Sequence, residues 1–483
     1  MIRSVLTFFA ATAFYSGVYA QNAPVKVACV GASITYGAFI PDREHNCYPA
    51  QLQKMLGDKY AVTNYGVNGT TMLRKGDSPY WKTRQYQAAL ASNPDVVFID
   101  LGGNDAKLQN RVHADEFEQD CHDLVQSFKQ LPSHPRVILM EAMPSWVKDT
   151  TGIWDPAIVK IINPHIQNTA YKDGLELIDM HSPFADQEAN TPDKIHPNKQ
   201  GAGVMAKLIY DNIVREKDFG FNILSKISFP QKLSSFYGYK CATFIMNGRE
   251  CKVVAPKWTA AGRPWMWRAR FWGHEPQTDI ALLERGFHLV YFDASELLGN
   301  EEAIKDWNSF YDLLTKAGLD KKAVMEGMSR GGIYVFNWAA VNPDKVAAVY
   351  VDNPLLNTSS WALGIIKAGG PKDMLDLVDV FKKDYNLTTE NDMKNFKNNP
   401  VDKVKQIVKG KYPILILCAD DDEIVNPANN TLLFEKEIKE LSGNITVIHK
   451  PGFKHHPHSL PNPTPIVDFL LAGSGQSVLY PGN

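Results

Sequence analysis

The chain has 483 residues, enough for two or three domains with full cores. Its formal net charge of -2 excludes the strong basic excess that nucleic acid favours, so no nucleic-acid partner is expected. No coiled-coil period, internal repeat or low-complexity tract runs through it.

Residues 1–20 read as an export signal. Arg3 gives a positive start, residues 5–14 form an apolar run, and Val18-Tyr19-Ala20 supplies the small residues that a signal peptidase reads. The run is too short to span a bilayer, and Ala20 is not followed by a cysteine that could take a lipid. A periplasmic or secreted protein without a membrane anchor is expected. Export permits disulfides, but six cysteines are too few for a scaffold of this size. Cys241 and Cys251 flank the turn residues Asn247-Gly248. In that register Cys241 faces Val254 and Cys251 faces Phe244, on opposite sheet faces, so no bond between them is expected. No CxxC pair or histidine cluster has zinc spacing, and no metal or organic cofactor is expected.

In the first half, strands are predicted at 25–30, 61–65, 96–101, 137–140 and 175–178, with helices at 48–56, 116–130 and 199–216. This alternation implies a parallel sheet with helices on both faces, and ligands of such sheets bind at the strands' carboxyl ends. Gly31-Ala32-Ser33-Ile34-Thr35, Gly66-Val67-Asn68-Gly69-Thr70 and Gly102-Gly103-Asn104-Asp105 all fall there. Asp193-Lys194-Ile195-His196-Pro197 precedes the last helix. Together these residues can do one chemistry: Ser33 as nucleophile, His196 as its base, and Asp193 as the orienter of the imidazole. Gly69 N–H, the Asn104 amide and Ser33 N–H are candidate oxyanion donors. Four blocks in this order resemble the SGNH (GDSL-type) hydrolases from residue 25 to about 216, with Ala32 where that family most often has Asp. The resemblance implies a flavodoxin-like, three-layer αβα domain over 21–218. It implies an esterase acting on polysaccharide acetyl groups, lipids or thioesters, among which fold does not choose.

Residues 219–235 carry no helical period and contain Pro230, so they read as a linker to a second domain at 236–483. A hairpin at 239–246 and 249–255 leads into strands at 287–292, 322–326, 346–351, 414–418 and 445–449, with helices at 303–317, 333–341, 429–441 and 465–471. Gly327-Met328-Ser329-Arg330-Gly331 joins one strand to one helix, the pattern of a nucleophile elbow. The turn is tight enough that a Cβ at Gly327 or Gly331 would collide with its neighbours. Asp420, Asp421 and Asp422 follow one later strand, and His455 and His456 follow another. The order Ser, Asp, His resembles the α/β-hydrolases, which implies a second αβα domain on a mostly parallel sheet. That family's acid and histidine loops, laid on this sequence, select Asp422 and His455, with Asp352 and His456 as fallbacks.

The oxyanion hole of this second domain is expected from Arg330 N–H and the loop 256–270. That loop interleaves Trp258, Trp265 and Trp267 with Arg263, Arg268 and Arg270. Aromatic faces suit sugar rings and guanidinium forks suit carboxylates, so Arg263, Trp265 and Trp267 are candidate substrate contacts. The Gly-Met-Ser-Arg elbow is similar to the Gly-Cys-Ser-Arg elbow of glucuronoyl esterases and related uronate methyl-esterases, which implies a part for Arg330 in oxyanion stabilisation. Residues 355–409, rich in Lys, Asp and Asn, read as a helical cap over the site or as a solvated insertion.

The reading is an exported serine esterase with two catalytic centres. Its tandem looks like bacterial esterases that strip plant polysaccharides, which implies an acylated oligo- or polysaccharide as substrate. On that resemblance the first domain removes acetyl groups, and the second another acyl group or a uronate methyl ester. A lipid or general carboxylesterase is the rival, disfavoured here by the charge of 355–409. A rival of another class keeps one domain as a non-catalytic sugar-binding module, against which both triads stand. Nothing selects a peptidase on the second fold.

Overall fold

The structure, a computed structural model, describes residues 23–481, so the expected export signal lies outside the described residues. Five strands form the first sheet: β1 (Val25–Gly31), β2 (Tyr60–Gly66), β3 (Val96–Asp100), β4 (Arg136–Met140) and β5 (Glu176–Ile178). All pair in parallel, in the order β2-β1-β3-β4-β5. Side chains of β1 part by the strand's period of two. Ala28 and Val30 enter one core with Phe117, Leu124 and Phe128. Val27 and Cys29 enter the other with Leu52, Met205 and Ile209. Helices therefore cover both faces, and the chain's reversal between β1 and β3 opens a crevice at their carboxyl ends.

The second half contributes β6 (Lys217–Asp218), β7 (Lys232–Phe236), β8 (Tyr239–Met246), β9 (Arg249–Ala255), β10 (Thr259–Ala260), β11 (Trp265–Arg268), β12 (His288–Phe292), β13 (Ala323–Met328), β14 (Val346–Asp352), β15 (Ile414–Ala419) and β16 (Ile445–Lys450). The ribbon β6–β10 stands apart, and the others form one sheet in the order β16-β15-β14-β13-β11-β12-β9-β8-β7. It is antiparallel from β7 to β12 and parallel from β12 onward. In the β8–β9 hairpin Cys241 lies opposite Val254, and Cys251 opposite Phe244. The two cysteines enter different cores, and both are free thiols.

Two stretches differ from the sequence reading. Residues 219–235 are packed rather than merely connecting: Ile223, Leu224 and Ile227 are buried in the second core, and Lys232–Phe236 is the edge strand of the sheet. Three apolar residues within one short turn cover a sheet face without ever completing a helical period. The loop expected at 256–270 contains β11, which lies between β12 and β13. Its Arg268 disguises it, because an arginine is rarely fully buried unless paired. Here the guanidinium is paired with Asp279 at 2.6 Å and Glu326 at 3.2 Å, all three side chains being excluded from water.

The two sheets meet along a polar seam. Arg285 reaches Asp211 at 3.1 Å, Lys257 Nζ donates to Ala170 O, Arg215 donates to Gln476 O, and the Asp179 N–H donates to Glu284 Oε1. Glu141 and the side chain of Glu284 are buried in this seam near Asp179. Burial, reinforced by the Asp179 charge, pushes both carboxyls well above the usual range. A carboxyl raised by folding contributes stability below the unfolded value of about 4.5, and that contribution is lost as pH rises toward the folded value. Glu141→Gln keeps the acceptor for Gln167 Nε2 and removes the ionisable proton. The variant is expected to melt above the parent at pH 8 and to lose that advantage at pH 4, as read by thermal denaturation across pH. An advantage that stays constant with pH contradicts the assignment.

Candidate active sites

In the first sheet, β1 ends at Gly31 and Ser33 opens the helical turn Ser33–Tyr36. Being at the first helical position, the Ser33 N–H has no partner within the helix. The Ser33 Oγ lies 2.8 Å from His196 Nε2, and His196 Nδ1 lies 2.6 Å from Asp193 Oδ2. The other Asp193 oxygen accepts the N–H groups of Ile195 and His196. Burial pushes the Asp193 carboxyl up, but the His196 ring and these backbone donors outweigh it and hold the group below its ordinary value. Asn104, at the end of β3, is buried and lines the same small cavity as Ser33. One amide hydrogen of Asn104 goes to Thr70 O, which ties it to the Gly69 loop. Asp105 holds that loop from the other side, accepting the N–H groups of Met72 and Leu73. Gly69 itself has φ +78° and open space around its Cα. Phe39, which the sequence reading passed over, stands 82% exposed and edge-on to the His196 ring at 5.1 Å.

In the second sheet, β13 ends in a sharp turn. A Cβ on Gly327 would come within 2.8 Å of the Gly331 backbone, and Ser329 takes φ +47°. Such a left-handed residue is costly unless its surroundings hold it. Three backbone bonds do so: Ser329 N–H donates to Asp352 O, while the Gly332 and Leu355 N–H groups donate to Ser329 O. The helix Gly331–Val341 starts immediately afterwards, with its N-terminus beside the hydroxyl. His455 Nε2 lies 3.0 Å from Ser329 Oγ, and its Nδ1 lies 2.7 Å from Asp422 Oδ2. Asp422 Oδ1 accepts the N–H groups of Ile424 and Val425.

Asp420, Asp352 and His458 are otherwise engaged, whereas His456 has no hydrogen-bond partner among the described residues. Asp420 pairs with His449 at 2.6 Å, and Asp352 holds Lys450 and His458. Asn353 links the two loops of this relay, donating to His455 O and accepting the Ala419 N–H. Nothing in the sequence marks that asparagine except its place directly after β14.

The expected substrate contacts Arg263, Trp265 and Trp267 are not at this site. Trp265 and Trp267 are fully buried on β11, with Trp267 stacked on Trp307 at 4.2 Å and Trp265 Nε1 donating to Asp320 O. Arg263 lies over the ring of Phe221. The part of 256–270 beside the elbow is its end, since the Gly331 position faces Ala269 and Arg270; the Ala269 N–H is given to Glu326 O. The cleft at Ser329, about 510 Å³, is lined by Phe271, Trp272, Leu355, Trp361, Met374 and Leu377 among others. Residues 355–409 thus roof it with helices such as Thr358–Ala368 and Lys372–Asp384. Most of their charge faces water, and the lining is mainly apolar, which removes the argument from cap charge against an apolar substrate.

The Arg330 guanidinium has no carboxylate partner among the described residues. Burial, with the Arg270 charge beside it, brings it down to about 10. A larger open groove, about 1310 Å³, runs past Arg43, Gln51, Asn64 and Lys199 and includes none of the relay residues. No helix among the described residues is long and apolar enough to cross a membrane.

A parallel sheet ordered β2-β1-β3-β4-β5, followed by a mostly parallel sheet with an elbow serine, defines an SGNH-like lobe and an α/β-hydrolase lobe. Residues 29–204 match the GDSL-like Lipase/Acylhydrolase family model, which places a GDSL-like domain in the first lobe. An acetylxylan esterase of Xylanibacter ruminicola is 38% identical over 203 residues, 38% of this chain and 42% of its own length, so the chain spans less than half of that relative. Acetyl xylan esterase 1 from a Thermoanaerobacterium species is 16% identical in structural superposition, over 52% of this chain and 91% of its own, with a TM-score of 0.38. A carbohydrate acetylesterase from Sinorhizobium meliloti is 19% identical over 39% of this chain and 98% of its own, with a TM-score of 0.32.

The burial of β11 has a measurable consequence. Trp267→Ala is expected to cost about 3–5 kcal/mol of stability in denaturant unfolding, as for other buried aromatics. A stable variant with only a raised KM would restore Trp267 as a substrate contact.

Proposed function

We propose that the chain is an exported carbohydrate esterase with two serine centres, one in each lobe, whose first lobe removes acetyl groups from a plant polysaccharide. The observation that carries this reading is the pair of complete hydrogen-bond relays, Ser33–His196–Asp193 and Ser329–His455–Asp422, each at the carboxyl end of a sheet. In each, the imidazole takes the serine proton as Oγ attacks an ester carbonyl, and the carboxylate holds the ring and offsets its charge. The same imidazole then protonates the leaving alcohol and activates the water that releases the acid. In the first site the developing oxyanion is met by the Ser33 and Gly69 N–H groups and the second amide hydrogen of Asn104. In the second, the Arg330 N–H and an N–H of 270–271 serve, with the Arg330 guanidinium, which has no carboxylate partner among the described residues, and the Arg270 guanidinium, which donates to Ser295 O, adding positive field.

Acetylated xylan as the substrate is supported by the 38% identity to an acetylxylan esterase. It is supported physically by Phe39, a bare ring beside His196 of the kind on which sugar faces stack. For the second site, a uronate methyl ester fits the unpaired Arg330. A longer acyl ester is a second reading, favoured by Leu355, Trp361, Met374 and Leu377 in the cleft.

Acetate and methanol release from acetylated xylan and pectin separates these readings. Ser33→Ala and Ser329→Ala are each expected to abolish one activity by roughly 10⁴-fold or more and to leave the other. Full ester hydrolysis in the double variant refutes both assignments, and a single variant without effect on any ester makes its lobe a binding module. Phe39→Ala is expected to raise KM for acetylated xylan while sparing hydrolysis of a small aryl acetate. Equal losses on both substrates would remove the stacking role.

A further inference from the structure

The loop 453–459 does more than carry His455. It brings His456 and His458 to the same side, so that one ring nitrogen from each of the three imidazoles lies within 4.8 Å of the other two. The ring centroids are 5.0, 4.9 and 4.8 Å apart, each pair nearly perpendicular. His274 stands edge-on to His456 and His458 from across the cleft, at 6.1 and 5.8 Å. The Ser329 relay uses only the first of these rings. His-His-Pro-His is not the spacing of a helical or knuckle zinc site, which is why the sequence pointed to no metal here.

Two of these rings carry the hydrogen bond usual for a metal-bound histidine. Asp422 holds His455 Nδ1 at 2.7 Å, and Asp352 holds His458 Nδ1 at 3.1 Å. A carboxylate on one nitrogen fixes the ring and turns the lone pair of the other outward, the usual outer support of a ligating histidine. Asp352 is itself buried and anchored by the Ser459 N–H and by Lys450. His456 is exposed in the cleft and has no hydrogen-bond partner among the described residues, so it can swing. Imidazole suits zinc, copper and nickel, whereas calcium and magnesium want oxygen. Three imidazoles and one water complete a tetrahedron for zinc once His456 rotates and the other two rings close in, bringing nitrogens now within 4.8 Å of one another toward the Zn–N distance of about 2.0–2.1 Å.

We propose that His455, His456 and His458 bind a divalent transition-metal ion of the zinc class, and that the bound ion silences the Ser329 centre by taking Nε2 of His455 from the serine. The binding stands on its own, and only the silencing rests on Ser329 being a nucleophile. Calorimetric titration of the chelator-stripped full chain with Zn²⁺ near pH 7 tests the binding. One equivalent is expected, with affinity falling more than about 100-fold in His456→Ala, beyond the loss typical of an outer-support residue. Lys454→Ala, which removes only an exposed partner of Glu423, is expected to leave it unchanged.

Labelling of Ser329 by a fluorophosphonate, in a Ser33→Ala background, tests the silencing. Zn²⁺ is expected to slow it tenfold or more, EDTA to restore it, and His456→Ala to make it insensitive to zinc. Zinc uptake that survives His456→Ala overturns the site, and labelling unaffected by saturating zinc overturns the silencing. If Ser329 does not label even without zinc, the catalytic reading of that serine and the silencing both fail, while calorimetry alone decides the binding.

Discussion

At the carboxyl edge of both sheets, backbone runs against backbone too closely for a side chain. A Cβ on Gly31 would sit 2.0 Å from Thr35 Oγ1 and 2.7 Å from Asp100 O, and one on Gly66 2.2 Å from Tyr36 N. At Gly327 the obstacle is the Gly331 backbone. These approaches let a strand turn directly into a helix, so that the serine just past the turn stands clear of the sheet beside unpaired N–H groups. The rest of each site is built to meet that fixed hydroxyl.

The two lobes meet it in different ways. In the first, Asp193 and His196 lie three residues apart on one loop, and the Asp193 carboxylate folds that loop by taking two of its own N–H groups. In the second, Asp422 and His455 come from loops after β15 and β16, which are tied directly where the Asp421 N–H donates to Phe453 O. Asn353 adds a second tie, accepting the N–H of Ala419 at the end of β15 and donating to His455 O. The first arrangement is local and solvent-accessible, with the Asp193 side chain 41% exposed. The second is assembled from distant segments, with Asp422 almost wholly buried.

That difference decides what was legible in the sequence. The strands and helices that were predicted, and the hairpin register, follow from periodicity and turn residues and agree with the structure within a residue or two, while the helices Arg84–Ala91, Asn163–Asp173 and Gln277–Glu284 were not predicted. The Ser33 block and the Asp193–His196 pair carry their chemistry in their spacing. The choice of Asp422 from three consecutive aspartates does not, and came only from resemblance. In the structure Asp420 is turned toward His449, and Asp422 accepts the backbone N–H pair that aims it at His455. Strand β11 was illegible because a four-residue strand has no measurable period and its Arg268 mimics a surface residue. Its two tryptophans then read as a binding loop, when the pairing of Arg268 with Asp279 and Glu326 is what allows the segment inside. The roof over Ser329 misled for a related reason: composition reports the outer face of a helical cap, and the cleft sees only the inner one.

Under the proposed reading, the same geometry separates the work of the two centres. The cavity at Ser33 is small, about 30 Å³, and opens beside an exposed aromatic ring. A long chain can lie across such a surface and offer one acetyl group at a time, with little to be desolvated except the ester. Ser329 sits at the floor of a roofed cleft of about 510 Å³, itself only 8% exposed. An ester reaching it must leave water and enter between Trp272, Trp361 and Met374, which favours a compact or end-located group over the middle of a polymer. At so buried a relay a charge is felt strongly, and so is any cation that settles among the histidines beside it. A relay near the surface and one more deeply buried, on a single chain, suit esters of different reach, and the histidines beside the second give it a place for control that the first lacks.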